Sequence, residues 1–530
     1  MKKSKYTEYI INLLPCLCFG ALCGSLTGVV IFLFRLAAKH IEELSVFLYG
    51  KAVASPLGCI VAVSVCILSG TVMYFLHKKM PEIKGGGIPR SEGILRGLLP
   101  FRQIRTFLGT IVGSFISFFC GVPVGSEGPA VLIGTCIGGM CSSIYKNKYA
   151  IDRYVMTGGA GAGFAVATGA PLSAMLFALE EIHKRFTPML VMNVSVSVIF
   201  ATTVNRILCN KFSVNPNLFS IRTYTGFELK HLGFLVLLGV LTALAVGLFD
   251  KSIHLFKRFS KFSKDVMHPL LKLIILFTLT GFMGLFLNAG IYSGHNIIES
   301  VHEHQISVFF LVAILAIRMF MMLFITDCGA TGGIFIPTLA IGALFSAIFS
   351  RILCCMGLNE QLGCAVTLLG MCAFLGGTLR APFTACLLFA ELTGSFTAFF
   401  YVAVTVFTVN LVTELLGQLP FYDMVLEHTV RKQNKNLEFH TSYLEMTVSE
   451  NSFVCGKTVR DIMWPYFCVV LSVKHKTEPK HNDSFFNDGE KKLSAGDIIK
   501  VRVRYTDKDR VLERLYALAG NKDLKETDTE

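Results

Sequence analysis

Charge is what this chain lacks. Only 16% of its 530 residues are Asp, Glu, Lys or Arg, where a soluble domain carries roughly a quarter. Hydrophobic residues make up 53%, with 45 phenylalanines and a mean hydropathy of +0.59. Water-soluble globular, disordered, collagenous and disulfide-framework proteins are thereby excluded, and a polytopic membrane protein with one smaller appendage remains. Catalytic signatures are missing too. There is no His-Glu-x-x-His, no Gly-x-Ser-x-Gly and no paired Asp-rich motif, and few acidic residues fall inside the apolar runs. An intramembrane enzyme is not indicated.

Ligand-spaced cysteines are also absent. The 17 cysteines are scattered through apolar stretches, as at Cys16, Cys18, Cys23, Cys59, Cys66, Cys354 and Cys355. There Cys behaves as a small hydrophobe, so neither a disulfide set nor a metal site is expected. Asp327 and the His302-Glu303-His304 trio have ligand chemistry but no further carboxylate or His at metal-site spacing, so they read as loop or helix-end residues. A cleavable leader is not indicated either. The apolar run after Lys2, Lys3 and Lys5 continues from about Ile10 to Leu36, beyond the roughly 7–15 residues of a signal h-region. It reads as a retained membrane helix with a cytoplasmic amino end.

The net charge of +13 comes from 49 Lys+Arg against 36 Asp+Glu. The basic residues gather at segment ends and in the polar C-terminus, as at Lys78, Lys79, Arg431 and Lys432. That is the positive-inside pattern of cytoplasmic anchoring, not a nucleic-acid surface.

Apolar segments of membrane length recur at about 10–37, 53–76, 106–120, 187–208, 231–250, 270–289, 307–326 and 397–418. Between them, 130–179 and 333–391 are apolar but broken by Gly and Pro. Broken backbone at membrane depth is tolerated only where protein buries it or where it lines a water-filled cavity, so function is sought in the breaks. The breaks repeat. Gly85-Gly-Gly-Ile-Pro89 pairs faintly with Ser293-Gly-His-Asn-Ile297 at an offset of 208, and Pro129-Ala-Val-Leu-Ile-Gly134 pairs with Pro337-Thr-Leu-Ala-Ile-Gly342 at the same offset. Ala170-Pro-Leu-Ser-Ala174, which runs on to Glu180, pairs with Ala381-Pro-Phe-Thr-Ala385, which runs on to Glu391, at 211. Matching interruptions in two halves point to a transporter's midplane site. Duplication alone leaves parallel and inverted repeats both open.

Gly125-Ser-Glu-Gly-Pro129 opens an apolar helix whose free N–H groups form an anion site. Ionised, Glu127 can occupy the anion's own place, and protonated it can swing away; the alternative is a plain helix-capping Glu, but an ionisable group inside a membrane segment is a functional candidate by default. Gly85-Gly-Gly-Ile-Pro89 and Gly332-Gly-Ile-Phe-Ile-Pro337 are two further helix openings, the latter presenting the N–H groups of Ile334 and Phe335. Several N-termini aimed at one point bind an anion without Lys or Arg, as a conducted ion requires. Glu180 and Glu181 end an apolar stretch before His183-Lys184-Arg185; a boundary ion cluster is as good a reading of Glu180 as a functional one. Tyr422 alone reads as an interfacial anchor.

Together, Gly85-Gly-Gly-Ile-Pro89, Gly125-Ser-Glu-Gly-Pro129, Gly332-Gly-Ile-Phe-Ile-Pro337 and Pro420-Phe-Tyr422 resemble the signatures of the chloride channel/transporter (CLC) family, in order across residues 10–430. The resemblance implies an all-α membrane domain over 1–430, made of two inverted repeats of broken, tilted helices (about 10–208 and 231–425), in a homodimer with one pathway per subunit. It implies a multi-pass protein of the cell membrane with both termini cytoplasmic, contacting lipid. Glu127 falls at the external gating glutamate, and Glu181 at the internal glutamate of proton-transporting members. Gly86, Ser126, Gly128, Ile334, Phe335 and Tyr422 fall at anion-binding positions. The function implied is a proton-coupled chloride antiporter that needs no cofactor, chloride itself being the cargo. A passive channel of the same fold is the alternative, and it commonly lacks a carboxylate at the Glu181 position. Two departures stand out. Gly86 replaces the family's usual Ser, and Ser126 replaces an Arg or Lys, thinning positive charge near the outer entrance.

After Tyr422 the sequence turns polar. Residues 431–530 carry β-like runs at Phe467–Lys474 and Asp497–Tyr505, a Gly496-Asp497 turn and a helical pattern near Asp507–Ala519, as in a small soluble α+β domain. Gly456-Lys-Thr-Val459, Asp461-Ile-Met463 and Leu493-Ser-Ala-Gly-Asp497 resemble a TrkA-C-type domain, which implies a site for a small-molecule regulator.

Overall fold

The structure, a computed structural model, describes residues 5–145, 148–216, 226–262, 267–287, 291–302, 307–433, 440–450, 452–465, 468–474, 489–490, 492–505, 508–520 and 524–527. Lys2, Lys3, Glu303, His304, Phe467 and Asp507, singled out above, lie outside these residues.

Up to residue 433 the elements among the described residues are helices. Among the described residues, seven helices are long and apolar enough to cross a membrane: Leu13–Ala52, Pro56–Lys79, Pro188–Phe212, Leu229–Arg258, Pro269–Phe286, Val308–Cys328 and Phe335–Cys355. Shorter apolar helices run over Gln103–Phe119, Gly363–Leu379, Pro382–Thr393 and Phe399–Leu415. Several starts follow from local chemistry. Pro56 and Pro188 sit at first helical positions, where a missing N–H costs nothing, behind Ser55 and Thr187, whose hydroxyls accept from Gly58 N and Leu190 N. The first helix is longer than its hydropathy indicates, running Lys5–Ala52 rather than stopping near residue 37. Lys39, Glu42 and Glu43 end the apolar run without ending the helix, because they face a cavity rather than lipid.

The duplicated segments meet through their equivalents. Glu180, at the end of the first Ala-Pro segment, accepts from Phe383 N at 3.2 Å, Thr384 N at 2.9 Å and Thr384 Oγ1 at 2.8 Å. Glu391, at the end of the second, accepts from Leu172 N at 2.8 Å, Ser173 N at 2.8 Å and Ser173 Oγ at 2.6 Å. Each carboxylate thus caps the helix that the other repeat opens with Pro, Pro382–Thr393 and Pro171–Phe177. The boundary ion cluster allowed for Glu180 is therefore replaced by a helix cap. Exchange of contacts between equivalent residues is what a pseudo-twofold axis produces.

The tail is a four-stranded sheet in the order β2-β3-β1-β4, built from β1 (His440–Thr447), β2 (Cys468–Lys474), β3 (Ile498–Tyr505) and β4 (Leu524–Thr527). All its pairs are antiparallel. Alternation places Ile499, Val501 and Val503 of β3 inside, beside Leu515 and Leu518 of the helix Lys508–Ala519. β2, β3 and this helix match the polar-tail reading; β1 and β4 were not expected. The tail rests on the helix Lys148–Thr168: Arg153 Nη1 donates to Trp464 O at 2.8 Å, and Tyr149 Oη donates to Glu513 Oε2 at 2.9 Å.

Candidate functional site

Three helix openings converge inside the helical unit. The loops ahead of Glu127–Ser142 and Phe335–Cys355 are joined by a reciprocal backbone pair, Gly125 N to Gly333 O and Gly333 N to Gly125 O, both 2.7 Å. These two glycines are equivalents at the 208 offset, and the bridge between them is antiparallel. The Gly85 loop joins them through Gly85 N to Gly329 O at 3.1 Å. Contact is so close that a Cβ on Gly128 would lie 2.0 Å from Gly86 O, and one on Gly87 2.2 Å from Gly128 O. Only glycine lets the loops approach to this extent. The helices Ile88–Leu95, Glu127–Ser142 and Phe335–Cys355 therefore start from one small region, bringing there first-turn N–H groups that have no partner one turn back in their own helix, Ile88 N being taken by Gly86 O at 2.8 Å.

The expected anion-site residues are brought to this region. Ile334 and Phe335 are buried, and the Phe335 ring is fixed edge-on to Phe164, centroids 4.9 Å apart, with Phe177 behind it at 6.0 Å. Tyr422 opens the helix Phe421–Gln433 with 1% exposure, and its hydroxyl is buried with no hydrogen-bond partner among the described residues. A buried hydroxyl without a partner costs about 1–3 kcal/mol, so this donor fits an anion. Gly86 contributes only backbone. Ser126 acts on Glu127, donating its hydroxyl to Oε1 at 3.1 Å.

Glu127 is 2% exposed, and its Oε2 lacks a partner among the described residues. It lines a cavity of about 850 Å³ together with Ser126, Glu42, Arg35 and Arg318. Arg35 donates from Nη1 to Val166 O at 2.7 Å and Pro216 O at 3.3 Å. No carboxylate among the described residues lies within ion-pair distance of it. Arg318 is held by the carbonyls of Ile291, Tyr292 and Ser293 at 2.9–3.3 Å. Arg35, from the first helix, thus brings positive charge to the cavity that Glu127 lines. Sequence reasoning missed Arg35. The available signal was an Arg ending an apolar run in register with the span.

Outside that cavity, Glu181 lies in a π-helical turn, Ala178–His183, and is 1% exposed. Single-turn π segments recur at functional sites. The turn ends at Lys184 with φ 55°, which points its ammonium at three carboxylates: Asp423 at 2.7 Å, Glu92 at 3.2 Å and Glu181 at 4.0 Å. Arg96 closes the group, 2.6 Å from Glu92 and 3.6 Å from Asp423. His183 Nδ1 lies 2.9 Å from Thr157 Oγ1. Glu92 and Asp423 were also missed; Glu92 sits in a fully buried helix, Ile88–Leu95, and that is where an ionisable group signals function. Asp327, set aside above, pairs with Lys272 at 2.7 Å.

The model of the family described as voltage gated chloride channel matches residues 65–414. The H(+)/Cl(-) exchange transporter ClcA of Vibrio cholerae serotype O1 is 30% identical over 421 residues, covering 78% of this chain and 89% of that protein. ClcA of Salmonella typhimurium is 28% identical over 430 residues, covering 79% of this chain and 90% of its own. Among solved structures, a slow cyanobacterial Cl-/H+ antiporter superposes with a TM-score of 0.71 at 27% identity, covering 79% of this chain and 99% of the other. A eukaryotic CLC transporter, at 21% identity and a TM-score of 0.62, shares the fold over 79% of this chain and 74% of its own.

Proposed function

The chain belongs to the voltage-gated chloride channel (CLC) family, and on that premise we propose that it is a proton-coupled chloride antiporter, a transporter rather than an enzyme. The observation that carries this reading is the placing of a buried carboxylate, Glu127, on one of three helix N-termini that share a single point. An anion there is held by N–H dipoles and the Tyr422 hydroxyl rather than by a full opposite charge, so it binds without being trapped. Ionised Glu127 competes with the anion for these donors; protonated Glu127 yields them. One carboxylate therefore links each proton taken up to an anion's passage.

Gly86, Gly128, Ile334 and Phe335 offer backbone to the dehydrated anion, and Tyr422 offers its hydroxyl. Ser126 steadies the ionised gate. Glu181 passes protons on the opposite side, with Lys184, Glu92, Asp423 and Arg96 holding the local charge near balance. A carboxylate so placed favours antiport over a passive channel. We infer further that the chain is a homodimer in the cell membrane, with both termini in the cytoplasm, no cofactor and lipid around it, and that the TrkA-C-like tail of residues 431–530 takes a small-molecule regulator.

Reconstitution into liposomes tests the whole. A chloride gradient is imposed with voltage clamped by a potassium ionophore, and external pH is recorded. Uphill proton movement driven by chloride is expected; chloride flux with no proton movement would overturn antiport in favour of the channel.

A further inference from the structure

The tail does not touch the membrane unit tightly everywhere. Between them lies a cavity of about 180 Å³. At about 30 Å³ per water this is room for on the order of six waters, below the 300 Å³ or so where sites for drug-sized ligands begin. Its walls come from both parts of the chain: Gln103, Ser142, Ser143, Asp152 and Arg153 from the helical unit, and Arg514 from the tail helix Lys508–Ala519.

Its donors are what mark it. The Nε–H groups of Arg153 and of Arg514 are both buried without an acceptor among the described residues. Their other contacts leave them so. Arg153 uses Nη1 on Trp464 O at 2.8 Å, and Arg514 Nη2 lies 3.5 Å from Asp152 Oδ2. Asp152 Oδ1 is taken by Arg153 N at 2.7 Å. Arg153 and Arg514 thus set two guanidiniums beside the Asp152 carboxylate in a small, partly open cavity with polar walls. Buried charged donors without acceptors are costly, and a planar guanidinium fork matches a two-oxygen face better than a spherical halide.

We propose that this seam is a binding site for one phosphate-type oxyanion, free or as the phosphomonoester headgroup of a lipid, held between Arg153 and Arg514. The ligand bridges tail and membrane unit, so its concentration sets how firmly the tail docks. The site is independent of the transport reading.

The chain carries one tryptophan, Trp464, and it lies at this seam, so its emission reports the site without any measurement of transport. Inorganic phosphate is titrated into the full-length protein in detergent, against chloride at equal ionic strength. A saturable change is expected with phosphate alone, weakened at least about tenfold in Arg514→Gln, the loss of one charge-assisted hydrogen bond. Arg514→Lys, which keeps charge but not the fork, should fall between. Arg153→Gln should abolish the response; because it also removes a Trp464 contact, Arg514→Gln is the deciding variant. Vesicles with and without phosphatidic acid form the second arm. A response to those vesicles but not to free phosphate, lost in Arg514→Gln, assigns the same site to a lipid headgroup. No response in either arm, one reproduced by chloride, or one unchanged in Arg514→Gln, overturns the proposal.

Discussion

The Ser126 hydroxyl lies 3.1 Å from Glu127 Oε1, one residue behind the carboxylate it serves and on the same helix opening. Its proton is worth most when Glu127 is ionised and much less when Glu127 is neutral. If Glu127 is the gate we propose, its own neighbour biases it toward the ionised, anion-excluding state. Glu127→Gln imitates the neutral form permanently. We expect chloride flux to persist in liposomes while chloride-driven proton movement disappears; proton pumping at the parent rate would remove Glu127 from the proton path.

The roles proposed for Glu181 and Tyr422 differ by cargo, so variants at the two positions should separate them. Glu181→Gln should lose proton movement with chloride flux retained, because it leaves the helix openings untouched. Tyr422→Phe keeps the ring and deletes a buried hydroxyl that has no protein partner among the described residues. If chloride is that partner, calorimetric chloride affinity should fall by about tenfold, about 1.4 kcal/mol. If it is not, the variant should be as stable and bind as well as its parent.

Arg35 stands in the cavity over Glu127 with carbonyls as its acceptors. Its charge acts on arriving anions at a distance, an effect that salt screens over about 8–10 Å at physiological ionic strength. Arg35→Gln should raise the chloride KM on that face several-fold in low salt, the usual scale of electrostatic steering. The difference should shrink when an inert salt of a non-transported anion is added, and Arg35→Lys should restore most of the loss. A salt-independent defect would mean that Arg35 only braces the 166 and 216 carbonyls.

Much of this architecture was legible because it is local. A Gly-Ser-Glu-Gly-Pro string predicts a helix opening with a carboxylate on it, whatever surrounds it, and three repeated breaks predict a duplicated unit. Long-range partners were not legible. Nothing near Glu180 in the sequence announces that its acceptors are used by Phe383 and Thr384, 203 and 204 residues away. Nor does the Lys184 segment announce Asp423, 239 residues on. Hydropathy also stops too early where a helix leaves lipid for a cavity wall, as beyond residue 37. Strand β1 escaped for a different reason. In His440–Thr447 only Leu444 and Met446 are buried, so the alternation is brief and mostly polar.

Lys457 makes tail docking pH-dependent. Its ammonium sits 3.1 Å from the Phe453 ring centroid and 3.8 Å from Met189 Sδ of the helical unit. Burial lowers it from 10.5 to about 7, with the Cys16 thiol and the Asp461 carboxylate pulling the other way. Between those values the released lysine binds a proton that the docked one does not, so docking strengthens as pH rises, by up to about 1.4 kcal/mol per unit. Below about 7 both forms are protonated and the penalty levels off at its full size. The urea midpoint of the Trp464 emission change should climb from pH 7 to pH 9 in the parent and stay flat in Lys457→Met. Equal slopes would place the titrating group elsewhere.

Gly86 brings no side-chain donor to the proposed anion site. Relatives with Ser at this position have a hydroxyl donor that Gly86 lacks. A Cβ there would lie 3.0 Å from Ile334 Cγ1 and 3.2 Å from its Cδ1, and no positive φ forbids a side chain. A serine therefore fits once the flexible end of Ile334 gives by a few tenths of an ångström, beside the backbone that opens the Phe335 helix. A hydrogen bond to a charged partner is worth about 1.5–3 kcal/mol, part of which the Ile334 displacement offsets. Gly86→Ser should tighten chloride binding by no more than about tenfold, about 1.4 kcal/mol. It should also turn preference toward chloride and away from larger, weakly hydrated anions such as nitrate, because a fixed short donor rewards the smaller ion. Calorimetric titration of both anions into both proteins decides it. Unchanged affinities would show that the side chain at 86 addresses Ile334 and not the anion, and a gain for nitrate would show that the Ile334 shift widens the site more than the hydroxyl narrows it.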